Sequence, residues 1–326
     1  MLTISAADID EALDFKGLTE TLRDAFRAGA VQPVRHHHTV ERPDGAATTL
    51  LLMPAWTDFA AAGTSDGGYV GVKIVTVTPD NNLVRKPAVM GVYLLMDGRT
   101  SEPLALIDGQ RLTVWRTACA SALASTYLSR GDSRRLTLIG AGALAPFLAR
   151  AHGAVRPIEE IRVWNRTRGN AEKLAGALRA EGFRAEVEGD LDRAVAEADI
   201  VSAATISTVP LVKGAALRSG THVDLVGAFS PAMRESDEDA IARASVYVDT
   251  RAGALKEAGD IVQAVAEGVL KPDEIRGDLF DLARETAKGR ASADEITLFK
   301  SVGAAIEDLA AAVAVYRIVS GSGGKA

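Results

Sequence analysis

Apolar positions along the chain change their spacing near residue 118. Leu13, Leu18, Leu22 and Phe26 recur at roughly helical intervals and predict an amphipathic helix near the N-terminus. β-rich runs follow, VRHHHTVE, TTLLLMPAW, GYVGVKIVTVTP, AVMGVYLLMD and PLALIDG, punctuated by Pro43-Asp44-Gly45, Asp97-Gly98 and Asp108-Gly109. Short strands joined by tight loops predict a mainly antiparallel sheet, so this part is α+β. After Arg116 a helix, TACASALASTYLS, leads into RLTLI, and the strands IRVWN, RAEVE, DIVSAAT, THVDLVGA and SVYVDT then alternate with helix-length segments such as NAEKLAGALRA. That alternation predicts a parallel sheet with crossover helices. ITLFKSVGAAIEDLAAAVAVYRIV predicts a strand or loop running into a long Ala-rich helix, and SGSGGKA a flexible tail.

Composition narrows the class without naming an activity. At 326 residues, 47% apolar and 25% charged, the chain has ordinary globular usage and length for about two domains. It needs no disulfide or metal staple, and its one cysteine, Cys119, is expected to be a small buried apolar residue in a reducing cytoplasm. The balance of 37 Lys+Arg against 43 Asp+Glu offers no broad basic surface for nucleic acid or anionic membrane. The first residues carry acids from Asp8 onward and do not read as a signal peptide. The longest uncharged run, between Arg135 and Arg150, is too short and too broken by Gly and Pro to span a bilayer.

The RLTLI strand ends in Gly140-Ala141-Gly142-Ala143-Leu144-Ala145 and passes into a helix, with a second strand ending about 25 residues later. In that context Gly140 allows a tight turn, Gly142 lets backbone approach a pyrophosphate, and Ala145 allows close helix packing. The anion would rest on the free N–H groups of the helix N-terminus. The second strand closes on Asn165-Arg166-Thr167-Arg168, with no Asp or Glu to accept from a ribose 2′-hydroxyl. Two arginines suit a 2′-phosphate, so NADPH is the expected cofactor, with NADH as the alternative.

The usual nucleophile signatures are absent from the sequence. His36, His37 and His38 are consecutive, but a strand sends alternate side chains to opposite faces, so only His36 and His38 share one. His152 and His222 lie far off in sequence, and a half-buried polar strand is expected there, with no metal. Three cations are more informative. Lys73 interrupts an apolar strand, Arg116 stands where the two patterns meet, and Arg35 opens a β-like run after Gln32-Pro33. Gathered at a cleft, they would bind a carboxylate.

WRTACASALAS, LIGAGALA, VWNRT, THVDLVGAFSPAMRESD, YVDTRAGALKEAGD and ITLFKSVGAAIEDLA, in this order, resemble the ornithine cyclodeaminase/mu-crystallin family from about Gln32 to Leu309. The resemblance implies an α/β protein in which a Rossmann domain, residues 119–303, is inserted in an α+β substrate-binding and dimerisation domain, residues 1–118 plus 304–326. It implies that Arg35, Lys73 and Arg116 hold the substrate carboxylate, and that Met53, Phe229 and Gly303 line the substrate pocket. The cofactor would lie along Gly140 to Ala145 and Asn165 to Arg168, then Thr205, Val226 and Gly227, with Lys300 and Ser301 at the nicotinamide end.

The family's cyclodeaminases and alanine dehydrogenases carry an Asp where this chain has Phe229, in Gly227-Ala228-Phe229-Ser230-Pro231. They also carry Glu or Arg where Leu51 precedes Met53-Pro54. Losing these charges implies a more apolar substrate. The GAFSP string resembles members that reduce cyclic ketimines such as Δ1-pyrroline-2-carboxylate and its six-membered homologue. The expected partners are therefore a small cyclic imino acid and a second copy of the chain. Alternatives are an ornithine cyclodeaminase or alanine-type dehydrogenase, and a non-catalytic, NADPH-dependent ligand-binding protein.

Overall fold

The computed structural model describes residues 1–60 and 67–321, so the end of the expected flexible tail, residues 322–326, lies outside the described residues. In chain order the first elements are β1 (Leu2–Ile4), α1 (Ala6–Ala12), α2 (Phe15–Ala28), β2 (His36–Val40), β3 (Thr48–Trp56), β4 (Tyr69–Val77), β5 (Val89–Asp97), β6 (Pro103–Asp108) and α3 (Gly109–Leu128). There follow β7 (Arg135–Ile139), α4 (Ala145–Val155), β8 (Glu160–Trp164), α5 (Arg168–Ala180), β9 (Arg184–Val187), α6 (Leu191–Glu197), β10 (Ile200–Ala203) and β11 (His222–Leu225). The last are α7 (Glu238–Arg243), β12 (Ser245–Val248), α8 (Arg251–Glu257), α9 (Gly259–Ala266), β13 (Gly277–Asp278), α10 (Leu279–Ala283), β14 (Thr297–Lys300) and α11 (Ala305–Val319). They form two compact units, Met1–Arg116 with the segment from Ala304 onward, and Thr117–Gly303.

In the first unit six strands run in the order β1-β6-β5-β4-β3-β2, antiparallel except for the β1–β6 pair. Alternation sets what each face carries. Gly71, Lys73 and Val75 of β4 and Tyr93 and Leu95 of β5 point inward and are buried, with Met53 and Ala55 of β3 beside them. α11 packs on this face and against α2. α2 starts where the Asp14 carboxylate accepts the Gly17 N–H and stops at Gly29, whose φ of 88° a side chain would resist. Its Leu18, Leu22 and Phe26 fall on one face, and each apolar side chain buried there contributes about 1.5–3 kcal/mol.

In the second unit eight strands, all parallel, lie in the order β13-β12-β14-β11-β10-β7-β8-β9. The chain winds one way from β7 through β8 and β9, then returns to place β10 on the other side of β7. This is a Rossmann-type arrangement, and its crevice opens beyond the carboxyl ends of β7 and β10. The four core strands β7, β10, β11 and β14 are buried at every position except Arg135, with Leu138, Val201, Val223 and Leu298 among their apolar side chains.

Several local expectations are corrected. Asp108-Gly109 is no hairpin turn. The Asp108 carboxylate accepts the Arg111 N–H and α3 starts there, so Arg116 lies inside a helix and not before it. β1 and β13 carry too few residues to leave a periodic signal, and both pair in parallel with a distant strand. β2, with its three histidines, is an edge strand exposed at every position and not half-buried. Cys119 is buried, as its composition suggested.

Candidate active site

Three elements of the first unit meet at one ion cluster. Lys73 projects inward from β4 and is 2% exposed. Its Nζ lies 2.7 Å from Asp308 Oδ2 and 2.8 Å from Oδ1 on α11. From α3, Arg116 donates its Nε to Asp308 Oδ1 at 2.9 Å and its Nη1 to Glu307 Oε2 at 2.6 Å. Met53 and Tyr93 flank Lys73 in register on the neighbouring strands, and both are buried. Arg35 is half-buried just before β2, and its charge reaches Lys73. Gln32 fixes that approach by accepting the Ile306 N–H at the start of α11.

The electrostatics follow from this packing. Burial, and then the neighbouring Arg116, push Lys73 down to about 8, while Asp308 opposes them. Burial alone would raise Asp308, but Arg116 and Lys73 outweigh it and hold its carboxyl below the usual range. For Arg116 burial likewise opposes charge, and Asp308 with Glu307 overcomes it. Two buried cations thus meet two buried carboxylates, with the charge of Arg35 in electrostatic reach of Lys73. Buried charges persist only when so paired.

The glycine turn of the second unit fits a dinucleotide phosphate. Gly140 has φ 103°, and a Cβ there would stand 2.8 Å from the Ala204 carbonyl, so only glycine makes the turn. Gly142 and Ala143 are exposed, and a Cβ on Gly142 would meet nothing within 4 Å. Among the described residues the N–H groups of Gly142, Ala143 and Leu144 have no acceptor, and α4 begins without a side-chain cap. Ala145 is buried against its surroundings. Exposed, unpaired amides at the start of an eleven-residue helix form an anion cradle. The Asn165 side chain ties β8 to this turn by accepting the Ala141 N–H at 3.1 Å and donating to the Thr167 carbonyl. Arg166 is exposed and has no ion pair among the described residues, whereas Arg168 spends its Nε on Glu172 at 2.9 Å.

The loops after β10, β11 and β14 carry the other expected cofactor residues. Glu235, fully buried, accepts from the Thr205 N–H and hydroxyl and from the Gly227 and Ala228 N–H groups. Burial pushes it up to about 7, with Lys300 opposing. Val226 donates its N–H to the Ala203 carbonyl and Ser301 its N–H to the Leu225 carbonyl. Gly303, at φ 84°, donates its N–H to the buried Asp249 carboxylate. Phe229 stands partly exposed after β11. The Lys300 ammonium is entirely buried, 3.4 Å from Asp260 and 3.7 Å from Glu235, so this side chain serves an interior ion cluster.

A family model described as the ornithine cyclodeaminase/mu-crystallin family matches residues 2–323. The chain belongs to that family. It is 37% identical to a Δ1-pyrroline-2-carboxylate reductase of Colwellia psychrerythraea over 97% of this chain and 98% of that one. Among solved structures, the Δ1-pyrroline-2-carboxylate reductase of Thermococcus litoralis in complex with NADH and L-proline matches with TM-score 0.92 at 34% identity. That match covers 99% of this chain and 98% of that one. An archaeal alanine dehydrogenase dimer with bound NAD matches with TM-score 0.88 at 28% identity, covering 100% and 98%.

Reasoning from sequence missed Glu307, Asp308, Glu235 and Asp260. For the first two a signal existed. Two adjacent acids inside an apolar, Ala-rich helix are as anomalous as a lysine inside an apolar strand. Glu235 and Asp260 sit in mixed segments and left none. His152 and His222, far apart in sequence, meet in the core of the second unit. There His152 contacts Asp224 at 3.3 Å, and His222 faces Thr297 with its protonation pushed down to about 3 by burial.

Proposed function

We propose that the protein reduces cyclic ketimines of the Δ1-pyrroline-2-carboxylate type, with a nicotinamide cofactor, to the corresponding cyclic L-amino acid. The observation that carries this reading is the ion cluster. The cations Lys73 and Arg116, buried together with the charge of Arg35 in reach, suit a single carboxylate, while Phe229 puts an apolar side chain where the resemblance to the family's deaminating members implies an acid. The similarity to reductases of that name supports it.

In this reading Arg116 and Arg35 hold the carboxylate of the imine, and Met53 meets its ring. Gly140 to Ala145, Asn165 and Thr205 would hold a nicotinamide cofactor, which would supply the hydride for C2 of the imine. Lys73, with its ammonium pushed down to about 8, gives or relays a proton to the ring nitrogen, which makes C2 more electrophilic. Asp308 holds that ammonium in place. The uncommitted guanidinium of Arg166 and the lack of an acid at the end of β8 favour NADPH over NADH.

Initial rates with Δ1-pyrroline-2-carboxylate and Δ1-piperideine-2-carboxylate, each with NADPH and NADH, test all of this. Oxidation of NADPH by at least one imine, with a lower KM than for NADH, is expected. Ammonia released from ornithine with NAD⁺ would replace the reading with cyclodeaminase chemistry, and tight NADPH binding without oxidation would replace it with ligand storage.

We further propose that the protein is a homodimer. The outer sheet face of the first unit presents Leu50, Leu52, Val72, Ile74, Val92 and Leu94, all half-buried or exposed. A monomer rarely leaves so continuous an apolar face to water. Light scattering should give about twice the 34.2 kDa of one chain, and a glutamate in place of Ile74 should halve that mass.

A further inference from the structure

One buried carboxylate joins two loops at the edge of the parallel sheet where ligands bind. Glu235 Oε1 accepts the Thr205 N–H at 2.7 Å and its hydroxyl at 2.9 Å, from the loop after β10. Its Oε2 accepts the Gly227 N–H at 2.7 Å and the Ala228 N–H at 3.2 Å, from the loop after β11. A carboxylate has about four lone-pair sites, so all are filled from two loops. Gly227 completes the fit, because a Cβ there would collide with the Thr205 backbone. Glu235 is itself held. Asp260 Oδ1 accepts the N–H groups of Glu235 and Ser236 and the Ser236 hydroxyl, and Lys300 stands beside both acids.

We infer that Glu235 is a positioning residue whose four hydrogen bonds fix the loops after β10 and β11 in the arrangement that receives the nicotinamide ribose. The inference rests on the cofactor placement proposed above. Its direct consequence concerns one half of the dinucleotide. The adenine-side phosphate meets the glycine turn, which Glu235 does not touch, whereas Thr205 and Gly227 hang on it.

Binding of NADPH and of 2′,5′-ADP, each titrated against the full chain without imine, separates the halves. In Glu235→Gln the side-chain oxygen serves one loop while the amide nitrogen opposes the N–H donors of the other. Affinity for NADPH should therefore fall about 10- to 100-fold, and that for 2′,5′-ADP less than about twofold. Should that variant fail to fold, Glu235→Asp keeps the charge but is one methylene too short to reach both loops, and it should show the same imbalance. In the unaltered protein the Thr205, Gly227 and Ala228 amides should exchange slowly with deuterium before any cofactor is added. Equal loss of both ligands, no loss in a folded variant, or fast exchange of these amides overturns the inference. Wild-type protein that binds no dinucleotide overturns the cofactor placement instead, which the exchange measurement does not depend on.

Discussion

Arg116→Ala is expected to lower kcat/KM for Δ1-pyrroline-2-carboxylate by about a thousandfold or more while leaving NADPH affinity within about twofold. The size follows from what the guanidinium does. It lies 5% exposed, with Nε on Asp308 and Nη1 on Glu307. A hydrogen bond to a charged partner contributes about 1.5–3 kcal/mol, and losing the two donors that would reach the substrate carboxylate removes more than one of them. A second effect adds to the first. Removing Arg116 also takes one positive charge from beside Lys73 and so weakens the attraction for an anion. Stranding buried carboxylates should cost about 3–5 kcal/mol of stability, so melting should fall by roughly 10 °C with the chain still folded at room temperature. Turnover close to wild type in a folded Arg116→Ala would remove this residue from the site.

Much of this arrangement was legible in the sequence, and what escaped has a physical reason. β-rich runs bounded by turn residues, such as TTLLLMPAW and GYVGVKIVTV, marked β3 and β4, because β-branched and apolar side chains suit a pleated sheet on either face. The glycine turn was legible because positive φ at residue 140 restricts the residue type. Lys73 stood out because burying an ammonium demands a partner. The partner itself, Asp308, is 235 positions away, and nothing local to either residue encodes their pairing. β1 and β13, at three and two residues, are fixed by tertiary pairing and carry no period of their own. The start of α3 at Gly109 was misread because Asp-Gly serves both as a hairpin turn and as a helix entry, and tertiary packing of the next residues decides between them.

The pH dependence of kcat/KM should show an alkaline limb near 8, falling about tenfold per pH unit above it, that belongs to Lys73 in the free enzyme. Burial and Arg116 push this ammonium down, and Asp308 holds it up, so the two variants shift the limb differently. Asp308→Asn removes the one carboxylate that stabilises the charge. The limb should then move below 8, and activity at pH 7.5 should fall by about tenfold or more. Lys73→Met should abolish the limb and lower kcat by about a hundredfold, a typical contribution for a positioned proton donor. A bound substrate carboxylate adds negative charge beside the ammonium, so the limb in kcat should lie at higher pH than the limb in kcat/KM. Unfolding offers no competing account from this lysine. Its pKa in the folded chain lies below that in the unfolded chain, so between about 8 and 10.5 the unfolded chain binds more protons. The stability it contributes therefore rises with pH over the range in which activity is lost. The imine also titrates, but its titration is the same with every variant. A limb unchanged in Lys73→Met would belong to the substrate and leave Lys73 as a carboxylate ligand alone.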